Sequence, residues 1–394
     1  MMNYTVYHLH SDLSSGVTNI DSVTKYKQYI EKAAECGMTA MAFSEHGSVF
    51  EWWHKKQAIE AAGMKYIHAI EVYVTESLEE KIRDNYHCVL IAKNYEGFKE
   101  INKLSSYSFD RNDGHFYYNP RISFEELINT SDNIIVTTAC LGGILHNGKS
   151  KLKKDFIKFL AANKHRCFLE IQHHLEPEQI KYNNELVELS EQYNIPLIAG
   201  TDTHALNDEH LEARGVLQKS KGVHFENEDA WDLTFKSYEE LVTAYERQGS
   251  IPREKYLEAI RNTNVMADMV EEFTIDTKNK YPVLYKDSEK VFKKKVLEGI
   301  KQRGIDKLPN KREYLDRIKE EIETYKHNGA IDFMLLEEDY KAAMRKKNIY
   351  PGYSRGSVSG SIIAYLLGIT EVDSIKHNLN FSRFMNKERV SLAD

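Results

Sequence analysis

Cysteine is scarce in this chain and widely scattered: Cys36, Cys88, Cys140 and Cys167 form no C-x-x-C pair. Such spacing offers no disulfide framework and suits a reducing cytoplasm, so no bridges are expected. Long apolar runs are missing as well. No window approaches the roughly 18 apolar residues of a membrane span. The opening MMNYTVYHLH has neither the basic n-region nor the apolar h-region of a secretory signal. These absences lead us to expect a cytoplasmic protein with no membrane partner. Low-complexity tracts and repeats of fixed period are also absent. Nor is there an excess of positive charge: 53 Lys and Arg stand against 60 Asp and Glu, a net charge of −7. Any contact with nucleic acid must therefore come from a local basic patch and not from the overall field. At 394 residues, 41% of them hydrophobic, the chain is too long for one ordinary core, and two domains are expected.

What the chain does contain is a regular alternation. Residues 1 to about 204 switch between short apolar runs and amphipathic helical patterns, the runs being YTVYHL, TAMAFS, KYIHAIEVYV, HCVLIA, NIIVTTA, CFLEIQ and IPLIAGT. Between the first two, Val23, Tyr26, Ile30, Ala33 and Ala34 recur at helical spacing, and Gly37 stands where a glycine ends a helix. Strict alternation predicts a parallel sheet, and seven strands predict an α/β barrel or a doubly wound sheet.

The first run carries His8 and His10. Side chains two apart on a strand share a face, so these imidazoles aim at one point. Metal-capable residues then recur with the later runs. Glu45 and His46 follow the second, Glu71 lies within the third, and His87 opens the fourth. Cys140 closes the fifth, His173 and His174 follow the sixth, and Asp202 and His204 end the seventh. In α/β barrels the carboxyl ends of the strands form one rim, and that rim carries the chemistry. Taken singly, His87 reads as a hydrogen-bonded strand histidine and Cys140 as a buried small hydrophobe. Glu71, inside an apolar run, must be paired, ligated or turned outward, because an unpaired buried carboxylate is costly. Taken jointly, one polynuclear metal site accounts for all of them.

The motifs HLHSD, SEHG, IEVYV, HCVLIAKNYEGF, ACLGG and GTDTH resemble the polymerase and histidinol phosphatase (PHP) domain, a distorted (β/α)7 barrel that binds up to three metals. LTFKSYEEL and AIRNTNVMA resemble the segment that follows such a barrel in the C-family of bacterial replicative DNA polymerases, the DNA polymerase III alpha subunits. PGYSRGSVSGSIIAYLLGITEVDSIKHNLNFSRFMNKERVS resembles the start of their palm. The resemblance implies an α/β fold: a PHP domain with connecting segment over residues 1–275, its barrel core at about 1–225, and then part of an α+β palm over 276–394. Residue by residue, it implies metal ligands at His8, His10, His46, Glu71, His87, Cys140, Asp202 and His204. A ninth ligand is an acid after the histidine pair. There the chain has LSSGVTNID, longer than the family's link and without its Asp-Gly ending, which leaves Asp21, our preference, or Asp12. An Asp before a helical run is also a natural N-cap. Glu45 reads as a support beside a ligand, and His173 and His174 as rim residues. Mixed imidazole, carboxylate and thiolate ligation suits two or three zinc, manganese or iron ions better than magnesium alone.

Metals about 3.5–4 Å apart acidify a shared water and clamp phosphodiester oxygens during in-line attack. With eight ligands kept, the resemblance implies a 3′→5′ proofreading exonuclease acting on DNA 3′ ends, with His8, His10, Asp202 and His204 at the catalytic centre. Two other readings stand beside it. One is a catalytically inactive barrel braced by metals; the other is a phosphoesterase of the histidinol phosphate type, which leaves residues 276–394 without purpose. Residues 278–319 hold 14 Lys and Arg against 6 Asp and Glu, either a phosphate-attracting patch or a solvated helical face. In SRGSVSGSIIAYLLGI, small residues let amides approach a phosphate, and a helical pattern from about Ser359 offers its positive end to an anion. The resemblance implies that Arg355, Gly356 and Ser357 hold the triphosphate of an incoming dNTP, although Ser354 replaces the family's usual glycine. In the family, the run at ERVSLAD leads into the acids that bind the polymerase magnesium ions, so Asp394 stands just short of them. The chain thus reads as a truncated, split or frameshifted polymerase. Its implied partners are primer-template DNA, dNTP, a second polypeptide and replisome subunits such as a sliding clamp. A palm cut there is expected to expose the apolar faces of SIIAYLLGI.

Overall fold

The computed structural model describes residues 3–16, 20–79, 81–223, 231–278 and 282–388. Expectations for the end of ERVSLAD, Asp394 included, and for the middle of the LSSGVTNID link lie outside the described residues. The chain divides into two units, Met1–Thr274 and Ile275–Asp394.

Among the described residues the first unit is built on eight strands: β1 (Ala40–Phe43), β2 (Lys65–Thr75), β3 (Tyr86–Ala92), β4 (Phe116–Tyr117), β5 (Asn119–Ser123), β6 (Ile134–Thr137), β7 (Cys167–Ile171) and β8 (Leu197–Ala199). The apolar runs from TAMAFS onward fall on β1, β2, β3, β6, β7 and β8. The first run, YTVYHL, is an extended segment that bridges two neighbours. Ala42 donates its amide to the Val6 carbonyl (2.9 Å), while the His10 amide donates to Thr203 just beyond β8 (2.9 Å). Pairing therefore runs from this segment through β1, β2, β3, β6, β7 and β8 and returns to it. The short β4–β5 hairpin attaches at the far end of β2, where Tyr73 pairs with Arg121.

The expectation of an all-parallel sheet needs correction at β3 as well as at the antiparallel β4–β5 hairpin. β3 runs antiparallel to both β2 and β6. Between β2 and β3 the chain has only residues 76–85, and the described ones form no helix. A connection that short cannot carry the chain back across the sheet, so β3 turns and pairs in the opposite sense.

The reversal keeps the interior consistent. Alternate residues of each strand face inward, and along each strand that face changes from apolar to polar toward one end: Ile67, Ala69, then Glu71 on β2; Ile135 then Thr137 on β6; Phe168 then Glu170 on β7. On β3 the order is Ile91, Val89, His87, read backward because the strand runs backward. The apolar layer is sealed by Met266, Ala267 and Val270 at the end of the helix Arg253–Asp268. The segment Arg253–Asp268 thus packs into the barrel, and Thr263 Oγ1 accepts the Thr5 amide (2.9 Å).

In the second unit the described residues form helices and no strand. Helix Ser288–Gln302 buries Phe292, Val296 and Ile300 at four-residue spacing and leaves most of its lysines solvated. Those apolar residues meet Tyr314, Ile318 and Tyr325 of Lys311–His327 and Met334 and Leu335 of Ile331–Lys346. The expectation that SIIAYLLGI would be left exposed is wrong. Ile362, Ile363 and Ala364 are wholly buried in this same core, because the three longer helices already enclose the short one, Ile362–Leu366.

Candidate metal centre

The polar ends of the inward faces meet at one rim of the first unit. His8 and His10 come from the extended opening segment, and His46 from the turn after β1, bridged to Glu71 of β2. His87 is the second residue of β3, Cys140 follows β6, and Asp202 and His204 follow β8. His10, Asp21, His46 and His204 each present one donor atom, all within 4.8 Å of one another. His8, His10 and Glu71 form a second such group, and His46, Glu71 and His87 a third. Glu71 lies at the middle: its Oε1 is 3.4 Å from His8 Nε2 and 3.0 Å from His87 Nδ1, and its Oε2 is 3.2 Å from His10 Nε2 and 2.9 Å from His46 Nδ1. Asp202 Oδ1 is 3.2 Å from His8 Nε2 and 3.4 Å from His10 Nε2. Its backbone lies in the left-handed region (φ 44°), a conformation that Asp tolerates better than most residues. Cys140 Sγ is 3.4 Å from His87 Nδ1.

The two candidates for the ninth position separate clearly. Asp21 is buried, with Oδ1 3.2 Å from His204 Nε2 and 3.5 Å from His46 Nε2. Asp12 turns away and pairs with Lys25.

Charge balance in this buried group is mutual. Burial disfavours protonated His8, but the carboxylates of Glu170, Asp202 and Glu71 outweigh it and hold its pKa well above the ordinary value. Burial likewise disfavours ionised Glu71, yet His87, His46 and His8 hold its carboxyl well below the usual range. Asp21, facing His204 and His46, and Asp202, facing His8 and His204, behave alike. Burial and then the charges of Asp202 and Glu71 push the Cys140 thiol far up. Five inward atoms, His8 Nε2, His10 Nε2, Asp21 Oδ2, His46 Nδ1 and Glu71 Oε2, are buried without a hydrogen bond. Unsatisfied buried donors and acceptors are rare, and here they converge. Imidazole nitrogen, carboxylate oxygen and one sulfur are the donor set of a zinc, manganese or iron site, so these residues fit divalent metals.

One support was not singled out from the sequence. Glu170 on β7 is fully buried and lies 2.5 Å from His8 Nδ1 through Oε1, turning His8 Nε2 toward the centre. It also accepts from the Tyr7 hydroxyl (2.9 Å), the Thr137 hydroxyl (2.8 Å) and the Gln172 amide (2.9 Å). The signal was present: an acid inside the apolar run CFLEIQ, the same anomaly that marked Glu71. Gly200 stands against it, since a Cβ there would fall 2.0 Å from Glu170 Oε1. Glu45 is held by Lys55 (2.5 Å) and accepts from Ser14 Oγ (2.6 Å), which in turn lies 3.1 Å from His10 Nδ1. His173 and His174 are buried beside the rim, 4.7 Å apart between ring centres, and none of the three groups includes them.

In the second unit Arg355, Gly356 and Ser357 are exposed at the start of the short 3-10 turn Gly356–Gly360. The α-helix begins later than expected, at Ile362, and its free amides are already taken. Glu321 accepts from Ile362 N (3.0 Å) and Ile363 N (3.1 Å), and Ser361 Oγ accepts from Ala364 N (3.0 Å). That helix end is therefore not open to an outside anion. The amides of residues 356–360 lie before it.

Residues 7–174 match the family model of the PHP domain, and residues 290–394 that of the bacterial DNA polymerase III alpha NTPase domain. Among curated proteins, the DNA polymerase III subunit alpha of Aquifex aeolicus is 32% identical over 98% of this chain and 35% of its own length. That of Borreliella burgdorferi is 31% identical over 98% of this chain and 34% of its own length. The chain thus spans about a third of the relatives it matches. A Bifidobacterium adolescentis protein described as a metal-dependent phosphoesterase aligns with a TM-score of 0.36 at 12% identity, over 55% of this chain and 97% of that one. No helix among the described residues is long and apolar enough to cross a membrane.

Proposed function

The chain carries a PHP domain and is homologous over nearly its whole length to the N-terminal region of bacterial DNA polymerase III alpha subunits, and from that premise we propose that its barrel is a metal-dependent 3′→5′ exonuclease. On this reading residues 1–275 form the nuclease with its connecting segment, and 276–394 are part of a polymerase palm. The observation that supports it is the gathering at one rim of five buried atoms without hydrogen bonds, Glu71 Oε2 among them, from four separate segments of the chain.

His8, His10, Asp21, His46, Glu71, His87, Cys140, Asp202 and His204 would hold two or three zinc, manganese or iron ions. When bound, such ions supply positive charge for the phosphodiester oxygens and acidify the attacking water. The chain's own contribution is orientation. Glu170 fixes the His8 ring from behind, and Glu45 fixes His10 through Ser14. Of the nine, His87 and Cys140 retain the most exposure, which makes their side the approach for a DNA 3′ end. In the second unit, exposed Arg355, Gly356 and Ser357 would hold the triphosphate of a dNTP. Magnesium, primer-template DNA and replisome subunits such as a sliding clamp belong to the longer polymerase of which the chain matches a part.

Metal analysis of the 394-residue chain, followed by incubation with 3′-labelled single-stranded DNA and added manganese or zinc, tests the reading. Stepwise shortening from the 3′ end supports it. Bound metal without cleavage instead makes the barrel a braced scaffold, and hydrolysis of phosphomonoesters alone makes it a small-molecule phosphoesterase.

A further inference from the structure

Close along the chain to the metal-binding group is a cavity of about 340 Å³ that none of its nine residues lines. The loop after β1 leads into it. His46 belongs to the group; the Gly47 amide donates to the Glu71 carbonyl (2.7 Å). Gly47 has φ 58°, and a Cβ there would lie 2.7 Å from Pro120, so the loop is pinned where only glycine fits. Ser48 comes next and lines the cavity, its Cα no more than about 7 Å from that of His46 across two residues. Its hydroxyl is buried and makes no hydrogen bond. Phe50, Trp52, Asn102, Ser105 and Phe109 are among the residues that form the other walls, and no lining side chain is charged. Phe50 and Phe109 are 44% and 38% exposed, with ring centres 6.5 Å apart.

Such a lining selects its ligand by chemistry. Without a cation it has nothing for a phosphate, and without an anion nothing for an amine. It offers two partly exposed aromatic rings, an amide, and an unpartnered buried hydroxyl. That combination suits a neutral planar ring bearing hydrogen-bond donors and acceptors, and the volume falls in the range of small ligand sites. Resting on the exonuclease reading above, we propose that this cavity takes one base at the 3′ end of single-stranded DNA while the adjoining phosphodiester lies at the metal-binding group. Only an unstacked base can enter, so the cavity favours frayed or unpaired ends over duplex ends.

The test compares a labelled oligothymidylate with an oligonucleotide of equal length whose two 3′-terminal nucleotides are abasic, both presented to the full chain. Stacking one base on an aromatic side chain contributes at least about a fivefold gain in affinity. We expect anisotropy titrations to show that preference for the intact end. Phe50→Ala with Phe109→Ala should abolish it while bound metal, measured by mass spectrometry, stays at the wild-type level. Ser48→Ala, which removes an unpartnered hydroxyl and so leaves the fold intact, should reduce the preference as well. Equal affinity for the two oligonucleotides, or a preference that survives in the double variant, overturns the proposal. Hydrolysis is scored separately. Cleavage of both oligonucleotides at equal rates and with equal affinity rejects the base cavity alone; base preference without any cleavage rejects the exonuclease reading alone.

Discussion

Glu170 offers a sharp test of how the first unit holds its metal-binding group. Glu170→Ala would strand the Tyr7 and Thr137 hydroxyls, the Gln172 amide and His8 Nδ1 in a fully buried setting. Each unpaired buried donor costs about 1–3 kcal/mol, and several together approach the roughly 5–15 kcal/mol that stabilises a whole domain. That variant is expected to fail as a fold and to say nothing about metal. Glu170→Gln is the informative change. It keeps the shape and one acceptor oxygen but removes the negative charge, so that the His8 N–H is held at best by a neutral amide oxygen. Weakening the partner behind a ligand histidine in this way lowers metal affinity about 10- to 100-fold. Gly200→Ala presses on the same carboxylate from the other side and should act in the same direction. Competition against a fluorescent zinc chelator measures the effect, and thermal melting of the metal-free proteins separates it from a general loss of stability. Affinity within about twofold of wild type for Glu170→Gln would refute the idea that Glu170 sets the His8 ring.

Three further expectations concern other parts of the chain. Asp21→Ala should lower bound metal and abolish hydrolysis, as should His10→Ala or Asp202→Ala. Asp12→Ala should change neither, since Asp12 turns to Lys25 near the surface; metal content of the four variants decides, and a loss in Asp12→Ala alone would reverse the assignment. Glu321→Ala, which frees two helix-end amides and the Ser361 hydroxyl inside the second core, should cost at least about 2 kcal/mol in urea denaturation. Faster amide exchange at Ile362 and Ile363 should accompany it, and unchanged exchange would contradict the cap. Burial pushes the pKa of His68 down to about 3, so the folded protein leaves it neutral while the unfolded chain protonates it below about 6.5. The unfolded state therefore binds the extra proton, and stability falls as pH drops from 6.5 toward 3, by about 2 kcal/mol at pH 5. His68→Phe should flatten that part of the urea-midpoint profile, and an identical slope in the variant would rule the histidine out.

The sequence by itself determined where the strands lie and which residues could ligate a metal. Alternation of apolar runs and helical patterns is a local property, and a side chain's donor atoms do not depend on its neighbours. It could not determine the direction of β3, because that depends on how far residues 76–85 reach across the sheet. The reversal is also why His87, at the start of its strand, shares a rim with residues at the ends of theirs. Asp21 and Asp12 were chemically equal in the sequence; only the path of residues 12–25 and the place of Lys25 separated them. Glu170 carried the same local signal as Glu71, yet its role as the partner of His8 exists only where β7 meets the opening segment. The apolar run SIIAYLLGI and its helix end read as open surface along the chain. Tertiary packing buried the first under three helices and filled the second with Glu321, because a core and a cap are completed by residues far away in sequence.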